Sequence, residues 1–323
     1  MNDAMNQQQF TKRQHYLPQF YLKKFSKDDE HVYVYDKNIG DKGEVRYQTT
    51  LQVAHENNFY TYKTMGGHKK NLEDFFSQIE GDASNIIEEV FNSRQLTNDA
   101  RGKLALFVAF LYSRVPAFKR STEETHTKLG ARIARMKFRM TPKEQFRKFL
   151  REKHNEEVTD EELDNMIDFA TNEKRSKIGF LYPNGYWVKT MLQMGIELAP
   201  RFAAMDWLFL ATDKPFAFIT SDNPLLLIPP IKVDPFYSYG FVTSGARKII
   251  PLKSNMCLMM GDIQENPKTI FGETKKEFFR TVNSAIMYQS KRFCFSPEIG
   301  KLEKLVKDIK PYKVKRAGTI KIG

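Results

Sequence analysis

Two cysteines in 323 residues, Cys257 and Cys294, are too few for a disulfide framework, and their spacing fits no metal motif. Each lies in an apolar run (MCLMM and RFCFS), which reads as a buried small hydrophobe. No apolar run approaches the roughly 18 residues of a transmembrane helix. The opening residues MNDAMNQQQFTKRQ hold no apolar signal core, so a reducing cytoplasm is the expected compartment and no membrane the expected setting. Walker A, Gly-x-Gly-x-x-Gly and Gly-x-Ser-x-Gly patterns are all missing, which removes the common phosphate loops and the nucleophile elbow. The six histidines include no i, i+4 pair and no His-x-His, so no local metal site is signalled. A divalent cation held by residues from distant segments stays open. Acidic charge is also short: 39 Asp and Glu face 51 Lys and Arg, a net of +12. With 26 Phe and 41% hydrophobic residues, the chain is globular and long enough to bury a sizeable core.

The hydrophobic period changes twice. VYVYDK at 32–37 and EVRYQTT at 44–50 alternate around the turn residues NIGDKG, which predicts a β-hairpin, and HENNFYTY at 55–62 offers a third strand. Pro18 is expected to open a short helix or packed turn in HYLPQFYLKKFS. From about 70 to 205 the pattern is helical. Leu72 through Val90 forms an amphipathic stripe, Thr97 caps a helix that Pro116 ends or kinks, and a further helix covers 117–140. Thr141-Pro142-x-Glu144 and Thr159-x-x-Glu162 read as capping boxes, and a last long helix covers 186–205. Strands return at 206–212, 215–220, 225–229, 246–252, 255–262 and 292–297, with a helix over 273–290. The predicted fold class is α+β: an N-terminal β-hairpin and a C-terminal mixed or antiparallel sheet around a long helical middle. One domain over 1–300 is expected, the hairpin joining or covering the C-terminal sheet, followed by a basic tail at 301–323.

Charge is concentrated. Residues 119–153 carry twelve bases against four acids, and 301–323 carry eight against two, while 154–173 hold eight acids and no Lys or Arg. Arg132, Arg135 and Arg139 share one helical face, with Arg147 following on the next helix. This geometry suits phosphate tracking in a nucleic acid. The competing reading is a solvated helix whose bases pair with the adjacent acidic helix, or with an acidic partner. Arg120-x5-His126 is similar to the arrangement in HEPN-type ribonucleases, and Asp262 with Glu273-x-Lys275 to a loose PD-(D/E)xK nuclease spacing. Both sit in contexts that argue for coincidence: a charged exposed stretch and a helix start.

Ser221-Asp222-Asn223-Pro224 follows a predicted strand. The residue types make a tight turn, and alternatively they place Asp222 to accept hydrogen bonds or bind a cation and Asn223 to read a substrate edge. His15 is the best general acid/base candidate, since histidine titrates near neutrality.

The chain resembles the bacterial and phage-associated domain-of-unknown-function 4238 family. The resemblance rests on His15-Tyr16-Leu17-Pro18-Gln19-Phe20-Tyr21-Leu22, Glu56-Asn57-Asn58-Phe59-Tyr60, Ile79-Glu80 and Ser113-Arg114-Val115-Pro116. It continues through Asp206-Trp207, Phe218 to Pro224, Pro251-Leu252 and Val282-Asn283 to Phe293. It covers nearly the whole chain and implies one fold unit, without implying an activity. It singles out His15, Glu80, Arg114, Asp222 and Asn223 as the polar motif positions. Together they suggest a hydrolase for a phosphodiester or nucleotide, in which Arg114 neutralises phosphate, Glu80 or Asp222 positions a cation or water, and His15 moves the proton. The alternative is a non-catalytic protein that binds nucleic acid or a partner through 119–153.

Overall fold

The computed structural model of the chain describes residues 13–63, 69–70, 72–213, 216–230 and 239–308. These form two compact units. One comprises the chain up to Lys119 together with the chain from Asn184 onward, and the other comprises Arg120–Pro183. Among the described residues no helix is long and apolar enough to cross a membrane.

The larger unit is α+β. It begins with β1 (Arg13–His15), α1 (Gln19–Lys23), β2 (His31–Asp36), β3 (Glu44–Thr49) and β4 (His55–Asn57). The short strands β5 (Tyr62–Lys63) and β6 (Lys69–Lys70) pair with each other before α2 (Glu73–Ser93) and α3 (Asn98–Ser113). The Thr97 hydroxyl caps α3 by accepting from the Ala100 amide at 3.2 Å. α3 stops at Ser113, and Pro116 takes the first position of α4 (Pro116–Met140), where its missing N–H costs nothing.

Within the smaller unit, α4 is followed by α5 (Lys143–His154) and α6 (Asp160–Thr171). The capping box at Thr159 forms as expected, with Glu162 reaching back to the Thr159 amide at 2.9 Å. The box expected at Thr141 does not form. Its hydroxyl turns back to the Lys137 carbonyl at 2.8 Å, Pro142 becomes the residue flanking α5, and Glu144 pairs with Arg147 instead.

The larger unit resumes with α7 (Asn184–Ala203), β7 (Met205–Ala211), β8 (Thr220–Ser221), β9 (Leu226–Ile228), β10 (Arg247–Lys253) and β11 (Met256–Ile263). It ends with β12 (Thr269–Glu273), α8 (Lys276–Gln289), β13 (Phe293–Ser296) and α9 (Ile299–Asp308). α9 holds the first part of the basic tail; residues 309–323 lie outside the described residues. α3 and α7 pack so closely that a Cβ on Gly195 would stand 2.4 Å from the Phe110 ring, which explains a glycine inside a helix.

The hairpin β2–β3 forms with Asp36 opposite Glu44, and it does join the C-terminal half: the order β3-β2-β13-β8 makes one antiparallel four-stranded sheet. A second sheet runs β12-β7-β11-β10-β9 and is antiparallel except for the parallel edge β12–β7. Tyr21 of α1 ties the two sheets together. Its buried hydroxyl lies 2.8 Å from Thr220 Oγ1 and donates to the Pro251 carbonyl at 2.7 Å.

Two strand expectations need correction. The segment 55–62 is in a strand at 55–57, which pairs with β1 rather than with the hairpin, and again only at Tyr62, where β5 begins. Of the segment 215–220, the described residues 216–220 hold only Thr220 in a strand, because a side chain replaces the ladder. Asn283 of α8 accepts from the Ile219 amide at 3.0 Å and donates to the Ala217 carbonyl at 2.8 Å. β12 was not foreseen, being a five-residue edge strand directly before a helix.

Candidate functional site

The site begins with the two-stranded ladder β1–β4. Its register sets Arg13 opposite Asn57, Gln14 opposite Glu56 and His15 opposite His55. Alternation sends Gln14 inward, where it is buried. Its carboxamide donates to Thr61 Oγ1 at 3.0 Å and accepts from the Tyr60 amide at 2.5 Å, which locks the strand pair to the following turn. The Tyr60 hydroxyl donates to the His15 carbonyl at 3.2 Å. His15 and His55 therefore stand side by side on the other face, ring centroids 5.5 Å apart and nearly perpendicular at 74°.

Burial pulls the His15 pKa below its usual 6.5, and the His55 charge adds to this. A hydrogen bond to the Leu51 backbone and the Glu80 carboxylate work the other way, while Arg114 again lowers it. His55 is also pulled down, first by burial and then by Arg13. The Nε2 atom of His15 is buried without a hydrogen-bond partner among the described residues.

Arg114 follows the last turn of α3 with its side chain 2% exposed. Nη1 donates to Glu80 Oε1 of α2 at 2.7 Å, and the guanidinium lies 4.9 Å from the centre of the Phe76 ring. Its Nε and Nη2 are buried and unpaired among the described residues. Buried donors with no acceptor are rare and costly. A guanidinium with two such donors is shaped for a planar or tetrahedral oxyanion.

The structure thus brings three of the predicted residues, His15, Glu80 and Arg114, into one electrostatic neighbourhood. It adds His55, which sequence reasoning missed. His55 directly precedes Glu56-Asn57-Asn58, so a motif boundary hinted at it, but no spacing links it to a histidine forty residues earlier.

Asp222 and Asn223 are engaged elsewhere. The buried Asp222 carboxylate accepts the amides of Lys291, Arg292 and Phe293 at 2.8, 2.7 and 3.1 Å. Burial pushes its pKa up and those amides pull it back. The Asn223 and Leu225 carbonyls are held by Gln289, and the Asn223 amide by Ser221 Oγ. The tetrad makes a turn riveted to α8 and β13, which is the simpler of its two readings. Asp222 is therefore set apart from the group around His15, because three of the roughly four acceptor positions of its carboxylate are taken by backbone amides.

Part of the basic segment is engaged within the smaller unit. Arg135 donates to the Ser176 carbonyl at 3.0 Å, and Arg139 to that of Thr171 at 3.3 Å. Arg147 pairs with Glu144 and with Asp160, and Lys143 with Asp164. Arg132 alone of the four arginines is exposed without a partner among the described residues. The HEPN-like Arg120 and His126 lie on α4, while Glu273 ends β12 and Lys275 flanks α8, with Asp262 accepting from the Gly245 amide. Among the described residues no three His, Cys, Asp or Glu side chains are grouped to hold a metal ion.

The class defined here is an α+β protein with a histidine pair beside a buried arginine–glutamate bridge. The chain belongs to the family described as protein of unknown function (DUF4238), whose model matches residues 13–298. No curated protein and no solved structure matches it.

Proposed function

We propose that this protein hydrolyses a phosphodiester or nucleotide at the His15–His55–Arg114 cluster. The observation that carries the reading is the register of β1 and β4, which sets two histidines face to edge with pKa values held down. A neutral imidazole at neutral pH is a competent base. His15 takes a proton from the attacking water, the water oxygen bonds to phosphorus, and the bond to the leaving oxygen breaks. The proton then passes to that oxygen, so His15 ends as it began. Arg114 supplies unpaired donors to the charge that grows on the phosphoryl oxygens, and Glu80 fixes the guanidinium. Burial keeps His15 deprotonated, and any charge on His55 works in the same direction. The two buried, free cysteines suit a reducing cytoplasm.

The test is a panel of RNA and DNA oligonucleotides, cyclic nucleotides and nucleoside phosphates, with and without added divalent cation, followed by His15→Gln. The expected result is turnover on one substrate class that drops by about 100-fold or more in the variant. A folded His15→Gln protein that turns over at the wild-type rate removes the proposal, as does a panel with no turnover.

A further inference from the structure

The smaller unit holds a feature unrelated to the histidine pair. On α4, Leu129, Ile133, Met136 and Met140 are 55, 42, 53 and 74% exposed. Their spacing of four, three and four residues is that of a heptad seam, and at 100° per residue they fall within about 60° of arc. The opposite face of the same helix is the packed one. Ala131 is buried there, Arg135 reaches the Ser176 carbonyl, and the Phe138 ring stacks on Phe146 at 5.7 Å. The apolar seam is thus outward-facing by construction, not a frayed part of the core.

Its flanks carry one sign of charge. Arg132 and Arg139 border one side and Lys137 the other, and no Asp or Glu occurs from Thr125 to Met140. Five acids of α5 and α6 are paired with bases outside α4: Asp164 with Lys143, Glu144 and Asp160 with Arg147, Glu152 with Lys148, and Asp168 with Arg175. A second copy of this helix would set Arg132 and Lys137 against like charges at the positions that decide coiled-coil pairing. A bilayer surface asks for a wide apolar face, whereas this seam is narrow.

We infer that α4 docks an acidic amphipathic helix of a partner protein, its apolar face on the Leu129–Met140 seam and its Glu or Asp residues against Arg132, Lys137 and Arg139. Complementary flanking charges around a short apolar seam select both partner and orientation.

The experiment uses the full chain and two synthetic helical peptides of about four heptads. Both have an Ile/Leu seam; one has Glu at the flanking positions and the other Lys. The Glu peptide should bind saturably by fluorescence anisotropy and the Lys peptide should not, with binding weakening as salt rises. Ile133→Asp, at an exposed position that leaves the melting temperature unchanged, should weaken the Glu peptide at least about tenfold, an effect of 1.4 kcal/mol. The double variant Arg132→Glu/Lys137→Glu should reverse the preference toward the Lys peptide. Equal binding of both peptides, no saturation with either, or indifference to Ile133→Asp overturns the inference. So does displacement of the Glu peptide by phosphatidylserine/phosphatidylcholine vesicles or by single-stranded RNA. A dimer by ultracentrifugation that Ile133→Asp dissolves would assign the seam to a second copy and overturn it equally.

Discussion

His15 and His55 are cross-strand partners, with ring centroids 5.5 Å apart, on a ladder only three residues long. Ladder length matters because register is then set by side chains. Gln14 does this from the buried face by gripping both Thr61 and the Tyr60 amide. The histidine pair is therefore only as well placed as Gln14 is packed.

A pH dependence follows from that pair. The folded-state pKa of His15 lies below its unfolded value near 6.5, so the folded protein takes up the proton less readily. The contribution to stability is complete above pH 6.5 and is lost as pH falls through the lower folded value. Melting temperatures measured from pH 8 to pH 5 should decline for the wild type and decline less for His15→Gln. Parallel curves would show that the two states bind this proton equally.

Asp222 should behave as a scaffold residue. Its carboxylate answers three backbone amides, and removing it leaves those donors buried and unpaired. Asp222→Ala is expected to lower unfolding stability by about 3 kcal/mol, roughly one for each lost bond. Turnover per folded molecule should stay at the wild-type level. A stable Asp222→Ala protein with abolished turnover would return Asp222 to the active group.

Much of this architecture was legible before folding, and the exceptions share a cause. The hairpin at 31–49, the Thr97 cap and the Thr159 capping box are local, so alternation and spacing reveal them. The bonds that fasten distant segments leave no such trace. Asn283 reads as one polar residue on an amphipathic helix, yet it substitutes for a strand at 217–219. Asp222 looked available because its amide partners lie some seventy residues further on. His55 was invisible as a partner of His15, since only register makes them neighbours. The family motifs mark alike the residues that hold the fold and those that meet in one place.

Arg101 is the clearest fastening residue that no pattern announced. Its guanidinium lies 4.7 Å from the centre of the Trp207 ring. It donates to the carbonyls of Ala203 and Met205 at 3.0 and 2.8 Å, to that of Lys268 at 3.0 Å, and to Thr269 Oγ1. One side chain thus closes the turn between α7 and β7 and holds the parallel edge β12. Arg101→Met is expected to cost about 3 kcal/mol or more by leaving those buried carbonyls unanswered. Arg101→Lys should fall between, because an ammonium carries the charge without the fork. Denaturant unfolding of the three proteins checks the order; equal midpoints would contradict it.

Lys248 gives a second pH signature, at the alkaline end. Its side chain is buried in β10, with Nζ donating to the carbonyls of Ala246 at 2.8 Å and Gly261 at 3.1 Å. Burial pulls its pKa down to about 8 from 10.5, with Asp262 opposing. Between those values the unfolded chain binds a proton that the folded one has released, so stability gains from this group as pH rises from 8 to 10.5. Below pH 8 both states are charged, and the fold carries the full cost of burying an ammonium. Lys248→Met removes the titration while keeping an unbranched apolar side chain in the sheet. The difference in melting temperature between variant and wild type should then favour the variant most at pH 7 and shift steadily toward the wild type up to pH 10. Tyrosine and other alkaline groups titrate in both proteins and cancel in that difference. A difference that does not change with pH would mean that Lys248 keeps its proton in the folded protein throughout this range.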